Sequence, residues 1–181
     1  MTNLQATPIR DKKPAQFQYS RTQKTYLDDH MKKVSRSFAL VVSYLEEPLK
    51  EHLSAAYLVC RVVDNIEDCT APYEWQRRRF EEFDLLLAEP GDAAAILNSW
   101  GAEEWPGLTE DEKRLMGPEE GTILWQIYAA MPAAARQIVG HWTRDMAQGM
   151  DQIENPDQPP VRIKRDGVQM LASRPDYNQY C

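Results

Sequence analysis

Tyr57-Leu-Val-Cys-Arg-Val-Val-Asp-Asn-Ile-Glu-Asp68 carries two patterns at once. On a helical wheel at about 100° per residue, Arg61 falls roughly 40° from Tyr57, Asp64 about −20° and Asp68 about 20°. One stripe about 60° wide therefore holds all four polar groups, with Glu67 at its shoulder. Leu58, Val59, Cys60, Val62, Val63 and Ile66 fill the rest of the circumference. A surface helix shows a narrow apolar stripe on a polar background; here the pattern is reversed, and a helix apolar nearly all round is buried. Its charged stripe must then face something other than bulk water, and a polar cavity is expected.

Asp64 and Asp68 lie one turn apart, about 6 Å along the axis, close enough to share cations. Buried without counter-charge they would repel and desolvate at a cost of several kcal/mol. Arg61 offsets part of this. Mg²⁺ offsets the rest, because hard cations take carboxylate oxygens and leave positions open for phosphate. A cavity lined in this way suits an amphiphile with a diphosphate head and an apolar tail. Two plainer readings stand beside it: a solvated acidic helix face, and a structural ion pair of Arg61 with Asp64.

Working outward, the chain of 181 residues is enough for one compact domain. Residues 1–19 are polar, carry Pro8 and Pro14, and read as a loose arm; residues 20–181 read as one helical domain. Leu, Ala, Glu, Gln, Arg and Met are plentiful and the eight glycines are scattered, which favours helix over sheet. A net charge of −7 leaves no basic stripe to neutralise phosphates, so nucleic acid is excluded as a partner. Cys60, Cys69 and Cys181 are an odd set without metal spacing, which fits a reducing compartment, and Cys60 reads as a small core residue. No apolar run reaches the roughly 20 residues of a membrane span, and residues 1–17 lack a signal-peptide core. The expected location is cytoplasmic, or membrane-associated on the cytosolic side, and not secreted.

Ser20-Arg-Thr-Gln23 is a capping box opening a helix to about Lys33. Ser35 is an N-cap for the next segment, and Pro48 divides the apolar stretch from Phe38 to about Cys69 into two helices. A helix from Tyr73 to about Ala88 offers Trp75, Phe80, Phe83 and Leu87 to a core. Glu89-Pro-Gly-Asp92 is a turn. Trp100 to Glu120, with three Gly and two Pro, reads as an irregular acidic connection around a short helix. Thr122 to about Ile153 returns to helix, restarting at Pro132. Asn155 to Arg165 reads as a loop and Gly167 to Ala172 as a short element. Trp142, Met146 and Met150 read as core, with the lining of an apolar tunnel as the alternative. His30, His52 and His141 lack ligand spacing and receive no role. The fold class is all-α.

Val34-Ser-Arg-Ser-Phe-Ala39, Tyr57-Leu-Val-Cys-Arg61 and Asp64-Asn-Ile-Glu-Asp68, in this order and spacing, resemble the squalene and phytoene synthase family of head-to-head prenyl transferases. Asp64 to Asp68 is similar to the family's first aspartate-rich motif, with Asn65 where squalene synthases typically have Thr. The terminal Asp176-Tyr-Asn-Gln-Tyr-Cys181 is similar to the segment that opens a later active-site helix. The stretches 88–120 and 155–165 match nothing in the family pattern.

The resemblance implies an isoprenoid-synthase-type helical bundle. Asp64 and Asp68 would bind Mg²⁺ bridging a prenyl diphosphate, with Glu67 in support. Ser35, Arg36 and Ser37 would meet diphosphate oxygens, Arg36 through its planar fork of donors. Phe38 would line the tail cavity, and Arg61 would hold the diphosphate or the metal-bound carboxylates. Tyr57 would stand over the reaction centre, and Tyr180 would serve the cation-forming half-reaction. The implied activity joins two farnesyl diphosphates through presqualene diphosphate to squalene, with NADPH as reductant, in isoprenoid biosynthesis leading to sterols or hopanoids. Phytoene or dehydrosqualene synthesis shares the first half-reaction and remains the alternative. Peripheral contact with a membrane and the oligomeric state stay open. The chain ends after Tyr180-Cys181, ahead of the second aspartate-rich motif that the resemblance implies. The expectation is the N-terminal part of a longer enzyme or a truncated product, with little turnover by itself; a non-catalytic scaffold of the same fold is the alternative. Read without the family, Ser35 only caps a helix, Arg36 is a surface charge, and Tyr57 is a core tyrosine.

Overall fold

The computed structural model describes residues 18–157 and, for the backbone alone, residues 162–165 and 168–171. The helices are α1 (Arg21–Val34), α2 (Arg36–Val42), α3 (Leu49–Asp68), α4 (Tyr73–Ala88), α5 (Ala93–Gly101), α6 (Glu110–Met116), α7 (Glu120–Ala130) and α8 (Ala133–Glu154). The all-α reading holds for the body of the fold. It needs one correction near the end: Arg162–Arg165, expected as loop, forms β1, antiparallel to β2 (Val168–Leu171), with Arg162 opposite Leu171 and Arg165 opposite Val168. The sequence held the signal, because Asp166-Gly167 between two short alternating stretches is a hairpin dipeptide.

The helix boundaries follow local chemistry. At α1 the Ser20 hydroxyl accepts from the Gln23 N–H and the Gln23 side chain accepts from the Ser20 N–H, closing the capping box. Ser35 ends α1 and caps α2, its hydroxyl accepting from the Phe38 N–H at 3.4 Å. Pro48 stands immediately before α3, as its missing donor requires. The acidic connection after residue 100 contains α6, opened by a capping box of Thr109 and Glu112, while α5, ahead of it, follows Asp92, whose side chain makes no cap hydrogen bond.

α3 is the axis of the molecule, packed by α1, α2, α4, α6, α7 and α8. Ala55, Leu58, Val59, Val62, Val63 and Ile66 are fully buried. The C-terminal end of α3 is held from two sides. The Gln76 amide, itself buried, donates to the carbonyls of Ile66, Glu67 and Cys69 at 2.9–3.1 Å. Gly107, at φ +94°, approaches the Asp68 carbonyl so closely that an added Cβ would sit 3.3 Å from it.

The α4 expectation holds for Phe80, Phe83 and Leu87, which are buried. Trp75 is half-buried, edge-on to Trp105, with the Arg79 guanidinium 4.6 Å from its ring centre. Buried Arg79 joins Glu82 and Glu103, and the Trp75 and Trp100 indoles donate to those same carboxylates, so the acidic connection is pinned to α4. His30 has a structural part: it is buried and ties α1 to α7 through Glu120 at 2.6 Å. Trp142 is the correction among the expected core residues. It is 65% exposed, with Ile138 beside it at 61%, because no described element packs over that face of α8. Met146 and Met150 do pack against the core.

Replacing the three-way donor at the end of α3 is predicted to be expensive for its size. Gln76→Ala should destabilise the fold by about 1–3 kcal/mol, since buried carbonyls lose their partner. Denaturant titration measures this, and amide exchange should rise first at residues 67–69.

Candidate functional site

The α3 stripe forms as its periodicity demands. Exposure grows along it, from 22% for the Arg61 side chain through 30% for Asp64 to 58% for Asp68. Arg61 lies 3.4 Å from the Asp64 carboxylate and 4.0 Å from that of Asp68. Its closest partner is Glu112 on α6, a residue that the sequence analysis did not single out. The stripe is thus flanked on one side by α6 and, among the described residues, opens to solvent at Asp68. Glu112 could have been noticed through Thr109-Glu-Asp-Glu112, a capping box, but that signal marks a helix start and says nothing of a partner 51 residues away.

Glu112 is held on every side. Its carboxylate accepts from the Thr109 N–H and hydroxyl at 2.8 Å each, and its backbone carbonyl lies 3.4 Å from the Asn65 amide. Burial pushes its carboxyl up, but the Thr109 and Arg61 hydrogen bonds outweigh this and leave it below the usual glutamate range. Asp64 goes the other way. Burial and the neighbouring Asp68 raise its carboxyl, and Arg61 opposes them incompletely. The Cys60 thiol is pushed up to about 11, chiefly by burial, in keeping with a neutral packing residue.

Phe38 and Tyr57 are in direct contact. Their rings stack with centroids 4.5 Å apart and planes at 20°, joining α2 to the start of the stripe. Ser35 is half-buried, and its cap bond uses the hydroxyl as acceptor, which leaves its proton free to donate. Arg36 and Ser37 are exposed on the first turn of α2. Glu67 is half-buried and contributes its carbonyl to the Gln76 lock. Tyr180 lies outside the described residues, as does Cys181. Two clefts, of about 470 Å³ between α4 and α8 and about 500 Å³ beside His30 and Glu120, lie apart from the stripe.

The donor set fits a shared divalent cation in part. Asp64, Asp68 and Glu112 around one Arg61 leave an excess of negative charge. Among the described residues no three His, Cys, Asp or Glu side chains are grouped closely enough to hold a metal unaided. A cation here would have Asp64 and Asp68 as its protein ligands and would take its remaining oxygens from ligand and water, as Mg²⁺ commonly does at phosphate sites.

Comparison with known proteins gives the family and the fold. Residues 31–181 match the family model described as squalene/phytoene synthase. The chain is 26% identical over 148 residues to the squalene synthase of Schizosaccharomyces pombe, covering 81% of this chain and 28% of that protein. It is 28% identical over 143 residues to the squalene synthase of Dictyostelium discoideum, covering 78% and 32%. Its fold is similar to that of TcSQS in complex with the ligand E5700, with a TM-score of 0.66, 23% identity, and coverage of 88% of this chain and 40% of that one. The chain therefore spans about a third of the length of the curated relatives it matches.

The raised Asp64 carboxyl gives a prediction that needs no ligand. The folded state binds that proton more tightly than the unfolded state, so ionising Asp64 costs stability as pH rises from the ordinary aspartate range through its folded value. Asp64→Asn should therefore raise Tm by about 2 °C at pH 7 in metal-free buffer. The gain should vanish when both proteins are scanned below the ordinary aspartate range.

Proposed function

Because the chain belongs to the squalene/phytoene synthase family, we propose that it carries the first diphosphate site of an enzyme joining two prenyl diphosphates head to head. The substrate we assign is farnesyl diphosphate, condensed through presqualene diphosphate to squalene. One observation carries the reading: the Phe38–Tyr57 stack abuts the head of the Arg61–Asp64–Asp68 stripe, so an aromatic wall and an anion–cation site adjoin on two helices.

The chain's own groups divide the work. Arg61 and Arg36 hold phosphate oxygens, and the Ser35 and Ser37 hydroxyls donate to others. The π faces of Phe38 and Tyr57 favour the allylic cation left when the C–O bond to diphosphate breaks. The apolar wall keeps water from that cation while the double bond of the second substrate attacks it and a proton leaves to close the cyclopropane. Mg²⁺, when held by Asp64 and Asp68 with Glu67 in support, would supply charge stabilisation for the departing diphosphate. NADPH enters as the reductant of the squalene branch; no described residue is assigned to it. Tyr180 is proposed for the cation-forming half-reaction on the family resemblance alone. The Glu67-Asp68 ending of the motif and the names of both curated relatives support squalene over phytoene or dehydrosqualene as product.

Binding tests the site directly. Calorimetry with farnesyl thiolodiphosphate should show affinity that depends on Mg²⁺ and falls about tenfold or more in Asp68→Asn. Affinity indifferent to both would overturn the reading. Product analysis with farnesyl diphosphate and Mg²⁺, with and without NADPH, separates the branches: a product unchanged by NADPH would sink the squalene assignment.

A further inference from the structure

We propose that Glu112 is a positioning residue for the cation site: it draws the Arg61 guanidinium toward α6, so that Arg61 keeps only a long hydrogen bond to Asp64 and a 4.0 Å ion pair to Asp68, which a divalent cation can displace. The inference rests on reading those two aspartates as cation ligands. Three observations carry it. Arg61 can reach three carboxylates, and among them it sits closest to Glu112, while Asp64 and Asp68 remain at 3.4 and 4.0 Å. Glu112 is the least exposed of the three, at 17%, and its second oxygen is fixed by the Thr109 N–H and hydroxyl, so its geometry is set before Arg61 arrives. Its backbone carbonyl lies within reach of the Asn65 amide, on the stripe's own helix, which registers α6 against the metal-binding turn.

The physical consequence is a competition. A guanidinium and a divalent cation seek the same carboxylate oxygens, and Arg61, already on α3, is present at high effective concentration. Without an anchor it would fold down onto Asp64 and Asp68 and have to be displaced by every incoming cation. The Glu112 carboxylate offers a better-ordered partner just off the stripe. Arg61 then stands at the edge of the site, near enough to meet a diphosphate oxygen and bound only loosely to Asp64 and Asp68.

Glu112→Gln isolates the effect, because Gln at this position preserves the capping box while removing the charge that holds Arg61. Binding of Mn²⁺, followed through the electron paramagnetic resonance signal of the free ion, should weaken about tenfold in the variant, with Tm changed by no more than about 3 °C. Simple loss of a nearby negative charge would also weaken binding, so the cycle is closed in an Arg61→Met background. There the same Glu112→Gln change should have less than about a twofold effect if Glu112 acts through Arg61. Equal losses in both backgrounds, or full affinity in Glu112→Gln, would overturn the proposal. No Mn²⁺ binding by the unaltered chain would instead overturn the reading of the aspartates, and this inference with it.

Discussion

Burying α3 on all faces but one is the constraint on which the rest of the structure depends. Six apolar side chains of this helix are removed completely from water, and the five larger than Ala55 contribute about 1.5–3 kcal/mol each. Turning the helix by one residue, about 100°, would bring a carboxylate into that core and a valine out of it. The hydrophobic surround therefore fixes the azimuth of Tyr57, Arg61, Asp64 and Asp68 more firmly than contacts among those polar groups could. The site is accurate because its background is apolar.

The same constraint explains features that look unrelated to chemistry. A buried helix with charges along one edge needs a firm end, and the Gln76 amide and the close approach of Gly107 supply it where Asp68 sits. Asn65 is fully buried within the motif itself, where its amide faces the Glu112 carbonyl. The Arg79 network does the corresponding job for the connection leading to α6, and so bears indirectly on where Glu112 stands.

Much of this was legible in the sequence because it is local. The Ser20–Gln23 box, the Ser35 cap, the break at Pro48 and the restart at Pro132 all depend on neighbours within a few residues, and all four appear in the fold. The α3 stripe was legible for the same reason, since periodicity within one helix decides it. What escaped notice is non-local or depends on context. Glu112 meets Arg61 only because α6 folds back over α3, and nothing in Thr109-Glu-Asp-Glu112 names its partner. Trp142 shows the limit of composition: a large aromatic on a mostly apolar face reads as core, yet burial depends on what packs above it. The hairpin was missed for another reason, since the Pro-rich segment before it dominated the reading of its first strand.

The two motifs that define the site are separated by about twenty residues, and their joining is a problem of chain geometry. α2 must run away from Ser35 and the chain must reverse before α3 can return past it. The turn ending at Pro48 makes that reversal, and the Phe38–Tyr57 stack measures its success. Each ring is anchored by its own helix, so their overlap fixes the separation of the Ser35 cap and the head of the stripe. The start of α2 and the head of the α3 stripe thereby hold one geometry, set by packing that involves no ligand.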